Sequence, residues 1–227
     1  MIYAVIAAGG IGSRMGAEKP KQYIEIGGES ILSHTAEKFL NNSRIDKTII
    51  LVPEDWLDYT KDIFKSTDVI VICGGYTRNE TLMRAIDFIE ATDGLSDDTY
   101  LVTHDAVRPF VTDDIIDANI DAMLMYGATG TVIPATDTIF KSKTGEIIDS
   151  IPDRSELYQA QTPQCFGALK LRELYKSLSD EEKDMLTDGC KIYLLKGYNV
   201  HLVKGHVSNI KITYPHDLIV AEAILKS

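Results

Sequence analysis

Cysteine is scarce: Cys73, Cys165 and Cys190 are the only three in 227 residues, and no CxxC pair occurs. That excludes a disulfide framework and argues against a structural zinc site. Reduced thiols predict a cytoplasmic chain. Long hydrophobic runs are also missing. No stretch approaches roughly 18 apolar residues, so no membrane segment is predicted. The opening MIYAVIAAGG is too short to cross a bilayer, lacks a basic leader, and reads as a first strand. Positive charge is in deficit, with 23 Lys and Arg against 34 Asp and Glu and a formal net charge of −11. This argues against broad binding to nucleic acid or to an anionic membrane. An anionic small substrate stays open if the cations concentrate at one site. No internal repeat and no Pro/Gly/Ser linker divides the chain, so residues 1–227 are expected to form one domain.

What is present is an ordinary globular mixture, 44% apolar and 25% charged. A chain of this length buries roughly 70–75% of its unfolded surface and needs no staple. Residues 2–8 are a continuous apolar run closed by Gly9-Gly10, as in a buried parallel strand. Apolar spacing predicts helices over 30–40, 55–64, 81–90 and 113–126, with strands at 47–52, 69–73 and 99–103 between them. This β-α-β-α-β-α-β order predicts an α/β fold with a mainly parallel, doubly wound sheet. After a strand at 128–134, residues 137–148 read as a hairpin turning at Lys143-Thr144-Gly145. It belongs to a β-arm projecting from the sheet at about 136–159. The segment 161–166 (QTPQCF) reads as irregular around Pro163. Helices over 169–177 and 179–186, strands over 199–204 and 209–213, and a closing helix over 217–225 complete the chain.

Three loops carry chemistry. The first, Ala7-Ala8-Gly9-Gly10 through Gly16, follows the first strand. Glycines there let the backbone approach a ligand and aim N–H groups at phosphate oxygens. No Gly-Lys-Ser/Thr closes the loop, so it is not a P-loop. Gly10, Gly12 and Gly16 are spaced one residue too widely for a dinucleotide fingerprint, which disfavours an NAD(P)-linked oxidoreductase. Arg14, Lys19 and Lys21 add three positive charges, which a triphosphate requires. Arg14 and Lys21 are expected to be exposed. The bland alternative is a tight turn with surface cations.

The second loop, Gly74 to Thr81, again lies between a strand and a helix and faces the same crevice. Gly75, Arg78, Asn79 and Thr81 are candidates for holding a nucleoside, against a plain helix start capped by Thr77 or Asn79. The third is His104-Asp105-Ala106-Val107-Arg108-Pro109. Polar groups at the end of an apolar strand are costly unless paired or used. Asp105 suits Mg²⁺ and Arg108 suits a phosphate, while the plain alternative is an Asp105–Arg108 turn pair. His104 is expected to position the loop. Arg154 and Lys211 stand out as further cations. No nucleophile–base order and no HExxH occurs.

The motifs AAGGIGSRM, KPKQ, HDAVRPF, Asp137-Thr138, TPQ and NIKIT follow one another through the whole chain. In this order the sequence resembles the sugar-alcohol-phosphate cytidylyltransferases. The resemblance implies a Rossmann-like nucleotidyltransferase fold, transfer of a cytidylyl group from CTP to a polyol phosphate, and Mg²⁺. It implies that Arg14 and Lys21 stabilise the transition state and that Arg154 and Lys211 position the acceptor phosphate. Ala7, Ala8, Gly9, Gly10, Gly75, Arg78, Asn79, Thr81 and Ala106 would bind CTP. Asp105 would serve acceptor and metal, with Arg108 and Thr138 contributing to the acceptor. The arm would cross to a second subunit of a homodimer, so that Thr138 and Arg154 act in trans.

Two branches of the family are relevant, one using 2-C-methyl-D-erythritol 4-phosphate for isoprenoids and one using D-ribitol 5-phosphate for teichoic acid or related glycans. Val107, Phe110, Leu157 to Gln161, the stretch SLSDEEKDMLTD and Cys190-Lys191-Ile192 resemble the ribitol branch, the acceptor expected here. Gln159, Gln161 and Asp188 would serve the polyol hydroxyls. Ala106 and the short Gly16-Ala17-Glu18-Lys19 link depart from that branch.

Overall fold

β1 (Ile2–Ala7) sends its side chains alternately to two cores, Ala4 and Ile6 to one and Tyr3 and Val5 to the other. A strand buried on both faces belongs in the interior of a sheet, and β1 lies there, between β4 and β6. The computed structural model describes residues 1–10, 15–16 and 19–226. A short ribbon of β2 (Glu25–Ile26) and β3 (Glu29–Ser30) leads into α1 (Ile31–Leu40). Ser30 caps α1 by accepting from Ser33 N–H at 3.0 Å. Next come β4 (Lys47–Val52), α2 (Leu57–Ile63), β5 (Ile70–Cys73), α3 (Arg78–Thr92), β6 (Tyr100–Asp105), α4 (Asp113–Tyr126) and β7 (Ala128–Pro134). The second half holds β8 (Tyr158–Gly167), α5 (Ala168–Lys176), α6 (Asp180–Asp184), α7 (Gly189–Leu195), β9 (His201–Lys204) and α8 (Pro215–Leu225).

Seven strands form one sheet in the order β5-β4-β1-β6-β8-β7-β9. The pairs β1–β4, β1–β6, β4–β5 and β7–β9 are parallel, whereas β8 runs antiparallel to both β6 and β7. Leu32 and Phe39 of α1 and Ile116 and Ile120 of α4 cover one face. Leu82 and Ile86 of α3, Leu171 of α5 and Ile192 of α7 cover the other. Each such fully buried side chain contributes roughly 1.5–3 kcal/mol, so packing outweighs helix propensity here. The doubly wound α/β fold expected from the sequence is the fold observed.

Three expectations change. The segment around Pro163 is a strand, β8, in the interior of the sheet. Proline removes a ladder donor and is tolerated at bulges, and the β7–β8 register shifts between Gly130 and Val132 at this place. Residues 209–213 form no strand of the sheet, because their partner is a loop: Ile212 N–H donates to Val107 O at 2.9 Å. The expected hairpin over 137–148 is reduced to one bridge, Lys141↔Ser150. It lies in a segment between β7 and β8 whose residues 136–151 are all exposed.

Candidate active site

β1 and β6 are parallel neighbours, so the loops that follow them leave at the same edge of the sheet and flank one crevice. A pocket of about 400 Å³ opens there. Ala7, Ala8, Gly9 and Gly10 line it from the β1 side. A Cβ built on Gly9 or Gly10 meets no atom of the described residues within 4 Å, so among these residues the two glycines leave open space facing the pocket. Gly75, Arg78 and Thr81 line the β5–α3 side. At Gly75 a Cβ would lie 2.4 Å from Glu80 Cβ and 2.9 Å from the Glu80 backbone carbon. Only glycine permits that approach. Thr77 forms a capping box with Glu80 at the start of α3, and Gly75 N–H donates to Thr81 Oγ1 at 3.0 Å.

Asp105 and Ala106 line the pocket from the end of β6, and Lys21 and Lys211 complete it. Asp105 is buried among three cations. Arg78 Nη1 pairs with its Oδ1, Lys211 Nζ lies 2.9 Å from Oδ2, and Arg108 Nε lies 3.6 Å from Oδ2. Burial alone would raise this carboxyl, but attraction by Arg78, Lys211 and Arg108 outweighs it and holds the group far below the usual carboxylate range. For Arg78 burial opposes the charge, yet Asp105 raises its guanidinium above the ordinary value. Among the described residues that line the pocket, Lys21, Arg78 and Lys211 are cationic and Asp105 is the one carboxylate. A chain of net charge −11 thus gathers positive charge at this crevice.

Arg14 lies outside the described residues. Lys21 is buried rather than exposed, 8% accessible, with Nζ donating to Ile212 O at 2.9 Å. Arg108 does not line the pocket; its Nη1 and Nη2 donate to Asn209 O at 2.8 Å and Ala160 O at 3.2 Å. Backbone carbonyls of the neighbouring segments take the donors expected for a phosphate. The Asp105–Arg108 turn also forms, with Arg108 N–H donating to Asp105 O. Asn79 is buried in the first turn of α3 and does not line this pocket. Thr138 and Arg154 lie on the exposed arm and do not line this pocket, and Arg154 Nη1 donates to Thr136 O at 3.0 Å. Gln161 and Asp188 are occupied within the fold. Gln161 Nε2 donates to His206 O, while Asp188 caps α7 and accepts from Gln164 Nε2. Both side chains thus already hold bonds within the fold.

His104 is fully buried, and burial holds its imidazole down at about 4, so it is neutral. Sequence reasoning overlooked Gln22 and Thr213 as lining residues, while Tyr76 and Thr77 fall within the Gly75–Thr81 turn. Gln22 sits in KPKQ beside Lys21, and its Nε2 donates to Ala8 O at 2.7 Å. Its burial at 1% accessibility was the missing signal, which periodicity does not carry in a short 3-10 turn.

A family model described as 2-C-methyl-D-erythritol 4-phosphate cytidylyltransferase (IspD) matches residues 2–227. The chain belongs to this family.

Solved IspD-type structures share its architecture. 4-Diphosphocytidyl-2C-methyl-D-erythritol synthase from Anaerococcus prevotii is 29% identical with TM-score 0.82, covering 100% of this chain and 96% of its own. The Francisella tularensis cytidylyltransferase is 28% identical with TM-score 0.81, covering 98% of each chain. The Thermus thermophilus cytidylyltransferase is 25% identical with TM-score 0.78, covering 100% of each. Membership makes the chain a nucleotidyltransferase and removes the oxidoreductase reading. The cations that line this pocket suit a reaction in which charge is stabilised and the substrates supply the reacting atoms.

Proposed function

We propose that this protein transfers the cytidylyl group of CTP to the phosphate of a short sugar alcohol, releasing pyrophosphate. The observation that carries this reading is the cluster of Lys21, Arg78 and Lys211 around one glycine-walled pocket. An acceptor phosphate oxygen attacks the α-phosphorus, one P–O bond forms, and the bond to the β-phosphate bridge breaks. Lys21 and Lys211 offset the triphosphate charge and the charge that builds during transfer. Arg78 and the Gly75–Thr81 turn hold the nucleoside side. The open space at Gly9 and Gly10 admits the phosphates.

Mg²⁺ suits a site with one carboxylate among its described residues, because this ion is commonly held by one or two carboxylates together with substrate phosphates. Asp105 would hold it jointly with the triphosphate, in exchange for part of its present pairing with Arg78, Arg108 and Lys211. The ion would supply further charge neutralisation at the phosphates. Arg14, by its motif position, would join Lys21. The protein would work in the cytoplasm as a homodimer in which the exposed arm carries Thr138 and Arg154 into the partner's pocket.

The comparisons favour 2-C-methyl-D-erythritol 4-phosphate as acceptor. D-ribitol 5-phosphate is the second reading, favoured by the stretches 157–161, 177–188 and 190–192. Pyrophosphate release from CTP with the two acceptors side by side tests both. The preferred acceptor should lead by about 10²-fold in kcat/KM, the range set by hydroxyl recognition. Turnover with neither compound would refute cytidylyl transfer to these polyols.

A further inference from the structure

Pro163 interrupts the sheet next to the catalytic loop. β6 pairs with β8 from Tyr100↔Gly167 to Thr103↔Gln164, and the paired register ends there. Proline has no N–H to continue the ladder. Asp105 lies one residue past His104 at the end of β6, and the Thr162 hydroxyl takes over from the ladder, accepting from Asp105 N–H at 3.2 Å. The same hydroxyl is 2.9 Å from His104 Nδ1, and His104 Nε2 is 3.0 Å from the Arg108 carbonyl. A carbonyl only accepts, so Nε2 carries the proton, Nδ1 accepts, and Thr162 donates.

Thr162 is tied on its backbone as well. Its carbonyl accepts from Asn209 Nδ2 at 2.9 Å. The Asn209 carbonyl accepts from Arg108 Nη1 at 2.8 Å, and Arg108 Nε reaches back to within 3.6 Å of the Asp105 carboxylate. Three hydrogen bonds and one ion pair thus link Asp105, Thr162, Asn209 and Arg108. Lys211 stands two residues beyond Asn209 and meets the same carboxylate at 2.9 Å. Thr162, Asn209 and His104 are at most 4% accessible, so water does not compete for these bonds.

We propose that Thr162 is a positioning residue for cytidylyl transfer: it fixes Asp105 directly and Lys211 through Asn209, holding the two charged groups in one register. Thr162 does not line the pocket, so it acts through these neighbours. The inference rests on the cytidylyl-transfer reading.

The test is pyrophosphate release from CTP at saturating acceptor for the wild type, Thr162→Val, Thr162→Ser and Asn209→Ala. Thr162→Val should lose about 10- to 100-fold in kcat with KM for CTP within about threefold, the scale of a small misplacement of reacting groups. Thr162→Ser should return to within about threefold of wild type. The double variant Thr162→Val/Asn209→Ala should lose less than the product of the two single losses, since the linkage is already broken. Wild-type kcat in Thr162→Val, a serine variant no better than valine, or multiplicative losses would each overturn the proposal. If circular dichroism shows that Thr162→Val does not fold, Asn209→Ala decides: undiminished kcat there overturns it. Amide hydrogen exchange at Asp105 gives a readout independent of turnover. Protection should fall about 10-fold in Thr162→Val and persist in Thr162→Ser. Unchanged protection in the valine variant overturns the positioning role even if wild-type turnover fails, which would instead sink the parent reading.

Discussion

His104 shows how burial, more than its charged neighbours, sets a charge state next to a reactive loop. Its folded value of about 4 lies below the ordinary 6.5. A depressed imidazole contributes stability that is complete above pH 6.5 and is lost as pH falls toward 4. At pH 5 the loss should be about 2 kcal/mol relative to pH 7. Urea denaturation at both pH values checks this, and His104→Asn should remove that part of the slope. Lys21 is the second residue whose setting decides its behaviour. Lys21→Ala should lower kcat by about 10²-fold or more, in line with loss of one electrostatic stabiliser. Because Nζ is buried on Ile212 O, stability should fall too, by roughly 1 kcal/mol for the abandoned carbonyl. Saturation kinetics and denaturation on the same variant separate the two effects; wild-type kcat would remove Lys21 from the chemistry.

At the scale of elements, the start of α3 joins a helix cap to a nucleotide wall. The turn from Gly75 to Thr81 is drawn so tight that a methyl group at Gly75 strikes the Glu80 backbone. Gly75→Ala should therefore displace the turn and raise KM for CTP by about 10-fold or more. Isothermal titration with CTP measures the binding directly, and unaltered affinity would separate the turn from nucleotide binding. The capping Thr was foreseeable, since Thr77-x-x-Glu80 is a local pattern. β8 was not. Its proline masked the strand pattern, and its partners Tyr100–Thr103 lie far away in sequence. Residues 209–213 err in the opposite direction. Ile212 is buried as alternation predicts, but it packs under a loop with Val107 and α8 residue Ala221, not in a sheet.

Across the whole molecule, two features point beyond one chain. The arm exposes Ile139, Phe140, Ile147, Ile148 and Ile151, and it carries Thr138 and Arg154 away from the pocket of its own chain. If the arm completes a partner's site, mixing Lys21→Ala with Arg154→Ala protein should regain activity. One pocket of each mixed dimer then has both residues intact, so random exchange yields about a quarter of wild-type turnover in a twofold assembly. Each variant alone should be nearly inactive. No recovery after subunit exchange, followed by mass spectrometry of tagged subunits, would rule out a trans-acting Arg154.

The sequence by itself determined the family-level chemistry, the doubly wound sheet and the loops that bear Ala7 to Gly10, Gly75 to Thr81 and Asp105 to Ala106. These are short-range signals: an apolar run, then glycines or polar residues, then helical spacing. Only the tertiary structure decided that Lys21 and Arg108 turn inward, that Gln161 and Asp188 are spent on internal bonds, and that Thr162 stands beside Asp105. The physical reason is that periodicity tells which face of a strand is buried but not which strand lies beside it. The partner of a polar side chain is set by that neighbour.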